Sequence, residues 1–294
     1  MKKNLILQLT VATLTVASVA NAATLAYWRF GDDTSYTYDS TGNGHNITGI
    51  TATQTTLPGS GDGSAFPDPI PQTGQSNANA ADFNGTNSGD RAIADDFFDS
   101  SSDFTVETLF NMSAVNNSRE QYILSQYNTS SNRSWAIGVA DGDEGINGSD
   151  PSELFLYLSS DGEFGTSTTV GLGLTVAANT DYYISVGFDN TSSTNDLSFY
   201  YQDLTNGGAL QSATFSSGIT ALHDSTAQME FGAFATDNSN FGGLIDEVRI
   251  SDSVLEQSDL LMVPEPTTMA SMLMALGLFA SSGFIRKRRA AKRG

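Results

Sequence analysis

The sequence predicts an all-β protein, a sandwich or jelly roll in which two antiparallel sheets bury their inner faces against each other. Three observations in the 294-residue chain carry this. Apolar and polar residues alternate over many short stretches, which is the pattern of half-buried strands. Clusters of Gly, Asn, Asp and Ser separate those stretches and supply the turns. Helical periodicity is almost missing from the body of the chain; only residues 254–261 read as a short helix.

Taken in order, the chain begins with Met1-Lys2-Lys3, an apolar run over residues 5–19, and Ala20-Asn21-Ala22. A basic start, a short hydrophobic segment and small residues two apart make residues 1–22 a secretory signal peptide, expected to be cut after Ala22 by signal peptidase. Residues 51–78 are rich in Thr, Gly, Pro, Asn and Ser and read as a long extended surface loop. Strands follow. Phe104, Val106 and Phe110 share one face, as do Trp135, Ile137 and Val139. Leu154, Leu156 and Leu158 form another stripe, then Tyr182, Ile184, Val186 and Phe188, then Leu197, Phe199 and Tyr201. In the closing strand, alternation places Leu244, Asp246, Val248 and Ile250 on one face and Ile245, Glu247 and Arg249 on the other.

After Val263 the chain changes character. Residues 267–285 carry no charge, and Arg286-Lys287-Arg288-Arg289, Lys292 and Arg293 follow. At about 1.5 Å per residue those 19 residues make roughly 28 Å of helix, close to the thickness of a bilayer core. The basic cluster belongs on the cytoplasmic side, so the body of the chain would face outward. An ordinary C-terminal anchor has the same physical signature.

Composition narrows the function. Of 13 Lys and Arg, only Arg29, Arg91, Arg119, Arg133 and Arg249 lie within residues 23–262, against 32 of the 33 acidic residues, a net charge of −27 for the body. Such a field repels nucleic acid and anionic lipid, and calcium would screen it. Cysteine is absent, which excludes disulfides and thiol-based zinc or redox sites. His45 and His223, the two histidines, read as loop or surface residues.

Pro264-Glu265-Pro266, the single span and the terminal arginine-rich cluster together resemble the PEP-CTERM sorting signal of Gram-negative bacteria. The resemblance covers residues 263–294. It implies recognition of Pro264, Glu265 and Pro266 by an exosortase, which removes the tail. It also implies a transient stay in the inner membrane, a final address at the cell surface or outside, and an exopolysaccharide or biofilm setting.

The body, residues 23–262, resembles the laminin G-like, concanavalin A-like superfamily. The matching phrases are Ala26-Tyr27-Trp28-Arg29-Phe30, Asp39-Ser40-Thr41-Gly42-Asn43-Gly44, and Ala81-Asp82-Phe83-Asn84-Gly85 before Asp103-Phe104-Thr105-Val106-Glu107. Gly243-Leu244-Ile245-Asp246-Glu247-Val248-Arg249-Ile250 closes the set. The resemblance implies a jelly-roll sandwich of two antiparallel sheets. An inward Asp246 needs backbone donors, an arginine such as Arg29 or Arg249, or a metal, because an unpaired buried carboxylate costs several kcal/mol. The superfamily often holds a structural calcium beside its terminal strands, which makes Asp246, with Asp32 or Asp33, a candidate ligand set. The acidic run at residues 141–150 lacks the glycine and glutamate positions of an EF-hand loop and reads as a solvated hairpin.

The fold also hosts glycanases and lyases, so catalysis has to be sought at the site. No strand offers two carboxylates at alternate positions, and no Gly-x-Ser-x-Gly elbow is present. A non-enzymatic surface or matrix protein that binds carbohydrate or protein is therefore the leading expectation. Tyr183, Tyr200, Phe155 and Tyr157 stand at exposed-parity positions where rings could stack on sugars or partner side chains. Loops can cover both faces of a strand, however, and packing is the favoured reading for each. A polysaccharide-degrading enzyme and a passive coat protein are the alternatives.

Overall fold

The computed structural model describes residues 22–57, 64–85, 90–128, 131–143, 145, 150–234 and 239–265. Of the expected signal peptide (residues 1–22) and sorting tail (residues 263–294), residues 1–21 and 266–294 lie outside the described residues. Among the described residues no helix is long and apolar enough to cross a membrane.

The strands are β1 (Thr24–Trp28), β2 (Ile47–Ile50), β3 (Thr53–Thr56), β4 (Asn79–Asn84) and β5 (Ala92–Ala94). Next come β6 (Phe104–Met112), β7 (Gln121–Tyr127), β8 (Arg133–Val139), β9 (Glu153–Leu158) and β10 (Thr168–Thr175). The last are β11 (Asp181–Phe188), β12 (Leu197–Asp203), β13 (Gln211–Phe215), β14 (Met229–Phe231) and β15 (Gly242–Ser251). They form an eight-stranded sheet, β13-β12-β11-β6-β15-β4-β3 with β1 also on β15, and a seven-stranded sheet, β10-β9-β8-β7-β14-β5-β2. The pairs within both sheets are antiparallel. The architecture is the expected two-sheet sandwich.

The alternating stripes place their apolar sides between the sheets. Phe104, Val106, Phe110, Trp135, Ile137, Val139, Leu154, Leu156, Leu158, Tyr182, Ile184, Val186, Phe188, Leu197 and Phe199 belong to one continuous buried core. Without a disulfide, this packing is what holds the sandwich together.

Three expectations are corrected. Residues 254–261 form only a short 3-10 turn at Gln257–Asp259. The segment 51–78 is not simply a surface loop: it contributes β3 and lays Leu57, Phe66 and Ile70 over the outer face of the eight-stranded sheet. There they join Tyr27, Leu109, Tyr183, Leu255, Leu260 and Leu261 in a second apolar cluster.

The third correction concerns the closing strand. The β15–β6 register shifts between Asp246 and Arg249, and Glu247 adopts a left-handed φ of 50°. This β-bulge inserts one residue and reverses the alternation on either side of it. Ile245, Val248 and Ile250 therefore reach the main core, whereas Leu244 packs with the outer cluster. Asp246 follows Leu244 outward, to the underside of the cover rather than into the space between the sheets.

Candidate functional site: an aromatic sheet face and a set of buried carboxylates

The outer face of the seven-stranded sheet is built from the residues that the core stripes leave over. On β9 these are Phe155 and Tyr157, opposite Gly138 and Ala136 of β8. A Cβ at Gly138 would stand 2.9 Å from the Phe155 ring, so glycine is what leaves room for that ring. Tyr122 and Tyr127 rise from β7. After β14 the chain turns at Gly232, where φ is 71°, and carries Phe234 over both tyrosines. Phe234 stacks on Tyr122 at 4.4 Å and 18°, and lies 4.7 Å from Tyr127.

The β9–β10 connection closes one side of this layer. Asp161 accepts hydrogen bonds from the Glu163 N–H (3.0 Å) and the Thr166 hydroxyl (2.7 Å), and these bonds hold its carboxyl below the usual range. Ser159 Oγ donates to the Glu163 carbonyl at 3.2 Å, and the Ser167 and Tyr127 hydroxyls pair at 3.0 Å. The loop so pinned presents Phe164, 52 % exposed and the exposed large hydrophobic among the described residues. The Arg133 guanidinium sits between two rings, 5.2 Å from Phe164 and 5.3 Å from Tyr127. Tyr157 approaches Phe164 at 6.0 Å.

Glu230 of β14 lies across from Ser125 of β7 and Ile93 of β5 on the same sheet. It is 9 % exposed, its Oε2 accepts no hydrogen bond, and Arg91 stands 3.9 Å away. Burial pushes its pKa up to about 7, against the opposing pull of Arg91. A protonated Glu230 can donate one hydrogen bond and an ionised one accepts several, so this group can serve a hydroxyl-bearing ligand in either state.

The outer face of the eight-stranded sheet buries a set of paired charges. Glu107 accepts from Arg249 Nε (2.5 Å), the Tyr183 hydroxyl (2.5 Å) and the Leu261 N–H (2.9 Å). Glu247 accepts from Arg29 Nε (3.1 Å) and from the Tyr27 hydroxyl. Arg29 also donates to the Ser76 carbonyl, and Arg249 to Gln72 Oε1 and the Asp259 carbonyl, both at 2.6 Å. The two arginines thus fasten the 64–78 segment and the C-terminal segment to the sheet.

Asp246 is fully buried beside this network, and neither of its carboxyl oxygens accepts a hydrogen bond. Burial drives its pKa well above the carboxylate range. The Glu247 N–H, the Asn77 amide and Arg29 lie near enough to oppose that shift, and the Asp32 charge adds to it. Asn77 is itself buried, with Oδ1 and Nδ2 both unpartnered. Asp32 is held at 2.7 Å by Asn79 Nδ2 and at 2.9 Å by the Ala78 N–H. The bulge explains the convergence: β15 pairs with β4 up to Ile245 and with β1 from Val248, and Asp246 sits in the gap between them. Among the described residues no three Asp, Glu, His or Cys side chains gather as a metal cluster. A cation here would need Asp246, Asp32 and the Asn77 amide oxygen together, an all-oxygen donor set suited to calcium.

The other sequence candidates fall as follows. Asp33 is exposed and accepts from Ser40 Oγ. Tyr183 is fully buried under the cover and Tyr200 half-buried, because Leu57, Phe66 and Ile70 close the face they point to. Phe155 and Tyr157 lie on the aromatic face but beneath other rings. His45 stacks on Phe97 at 4.4 Å and His223 is half-buried in a loop. Pro264 and Glu265 end the described chain, and Pro266 lies outside it. Sequence reasoning missed Glu230, Arg133, Phe164 and Asn77. The paired aromatics and arginine around residues 127–164 were the available signal.

No protein-family model matches the chain, and no curated protein matches it. Among solved structures, the binding domain of Paraclostridial Mosquitocidal Protein 1 superposes with a TM-score of 0.53 at 14% identity, over 81% of this chain and 51% of that one. The botulinum neurotoxin serotype G binding domain gives 0.53 at 12% identity, over 82% and 50%. This chain shares their fold. It spans about half the length of either one. Domain 4 of AbnA, a GH43 extracellular arabinanase from Geobacillus stearothermophilus solved with arabinotriose, superposes at 0.48 and 19% identity, over 82% and 97%.

Proposed function

We propose that this chain is an exported, non-enzymatic binding protein that takes a carbohydrate on the outer face of its seven-stranded sheet. The observation that carries this is the exposed Phe164 ring, presented by a pinned loop and backed by Arg133, Tyr127 and Tyr157. A ring fixed before binding loses little entropy on contact, and its face suits the apolar side of a sugar. The buried Glu230 and nearby Arg91 supply hydrogen-bonding groups on the same sheet. The fold shared with two toxin binding domains supports a binding role in general, without naming a ligand.

The sequence signals extend the proposal. The leader would send the chain across the inner membrane, and an exosortase acting at Pro264-Glu265-Pro266 would release it to the surface or the matrix. A structural calcium on Asp246, Asp32 and Asn77 belongs to the same reading. The unpartnered oxygens of Asp246 and Asn77 support it, because a cation would neutralise a carboxylate that burial otherwise penalises.

The test uses the mature protein recovered after export from its host. A panel of polysaccharides and oligosaccharides is scored for binding and for release of fragments, with Phe164→Ala in parallel. Saturable binding to a subset, weakened about ten-fold or more by Phe164→Ala and without fragment release, is expected, a loss of ~1.4 kcal/mol or more. Fragment release would make the protein an enzyme. Binding to none of the panel would favour a coat protein or a protein ligand.

A further inference from the structure

The five arginines of the body are not equivalent. Arg29 pairs with Glu247, Arg249 with Glu107 and Arg91 with Glu230, and Arg119 is also engaged. Arg133 makes no ion pair among the described residues, and its buried Nε has no hydrogen-bond partner. Among the described residues the guanidinium lies over the rings of Tyr127 and Phe164, at 5.3 and 5.2 Å. In a body with 32 acidic residues against five arginines, carboxylates are plentiful, yet among the described residues none closes on this guanidinium. The acids of the adjoining loop are turned elsewhere: Glu163 accepts from Ser131 Oγ, and Asp161 from Thr166 and the Glu163 N–H.

We propose that Arg133 is the receptor for a carboxylate carried by the ligand, so that the site selects acidic sugars, the uronate class, over neutral ones. This rests on the carbohydrate reading and sharpens it. The guanidinium lies over two rings, and its terminal nitrogens are the groups that could offer a carboxylate two parallel hydrogen bonds. The rings also exclude water from the faces of the guanidinium, which strengthens an ion pair made at its edge. The acidic body does not forbid this. At physiological salt, charges beyond about 8 Å are largely screened, and the contact that decides is the one within hydrogen-bond reach.

The experiment compares the mature protein with oligosaccharides of mannuronate, guluronate and galacturonate, and with the same chains after reduction of their carboxyl groups to alcohols. At least one acid form is expected to bind about ten-fold or more tighter than its reduced counterpart, a gap of ~1.4 kcal/mol. Arg133→Gln is expected to erase that gap, so that the acid form binds no tighter than its reduced counterpart. Arg133→Lys should recover only part of it, since an ammonium is a point charge without the fork. Because Arg133 also packs between rings, thermal melts of both variants are run alongside, and only variants that melt cooperatively are scored. Equal binding of acid and reduced forms, or a preference that survives Arg133→Gln, overturns the proposal and leaves carbohydrate binding intact. Binding of neutral glycans alone does the same, whereas absence of binding to any glycan removes both readings.

Discussion

Arg249 on β15 stands directly across from Glu107 on β6, and the same guanidinium reaches Gln72 and the Asp259 carbonyl. One side chain therefore ties together the sheet, the 64–78 cover and the C-terminal segment. The pair is buried on both sides, so its members depend on each other for charge compensation.

Arg249→Ala is expected to destabilise the protein by about 3–5 kcal/mol, because Glu107 would be left charged and buried. Glu107→Leu combined with Arg249→Met should recover much of the loss by making the site apolar. Denaturant unfolding of the single and double variants measures this. A loss below about 1 kcal/mol for Arg249→Ala would show that the pair is not coupled as described.

Glu230 predicts a pH effect with a definite sign. Its folded pKa, about 7, is raised above the ordinary 4.5, so the folded form holds its proton more tightly than the unfolded one. The stabilisation is complete below pH 4.5 and is lost as pH rises to about 7. Allowing for partial solvent access, the change is about 2 kcal/mol. Glu230→Gln should match the wild type at low pH and lack its decline. Melting curves between these limits, read as the difference between the two proteins, isolate this group from the other carboxyls.

Asp246 separates the metal-bound and metal-free readings. Calcium at ten times its dissociation constant is expected to add about 1.4 kcal/mol to wild-type stability. Asp246→Asn should abolish that response, and a chelator should bring the wild type down to its metal-free level. If chelator and calcium leave the melting temperature unchanged and Asp246→Asn is neutral or stabilising, the site is a buried protonated acid with no cation.

Gly138→Ala tests the packing of the aromatic face. The new methyl meets the Phe155 ring at 2.9 Å, and overpacking of this kind costs about 1–3 kcal/mol. A second change, Phe155→Leu, should relieve part of it. Thermal denaturation of the two variants decides, and an unperturbed Gly138→Ala would mean that the ring shifts freely.

The sandwich was legible because each core stripe keeps its period of two over a whole strand, as at Tyr182, Ile184, Val186 and Phe188. The Asp246 face was misread because a single bulged residue, Glu247, cannot be seen in an alternation of types. For Tyr183 the favoured reading, packing, holds, but the sequence does not show what covers the ring. Strand parity says which side a ring occupies, but not that Leu57, Phe66 and Ile70 return to cover it. The candidate site was the least legible part. Phe164 and Arg133 lie far apart in sequence, and only the β8–β9 pairing and the β9–β10 loop bring them together.

The pairing of Thr24 with Ser251 makes the two ends of the sandwich neighbours, about one strand spacing of 4.8 Å apart. Ala22 and Glu265 line one shared cavity of about 220 Å³ beside Arg249. Topologically the body is close to a ring that happens to be opened between its last strand and its first. A short linker could join those ends and a new opening be cut at the exposed turn between β11 and β12. The resulting circular permutant would keep every strand pair and move both termini away from this cavity.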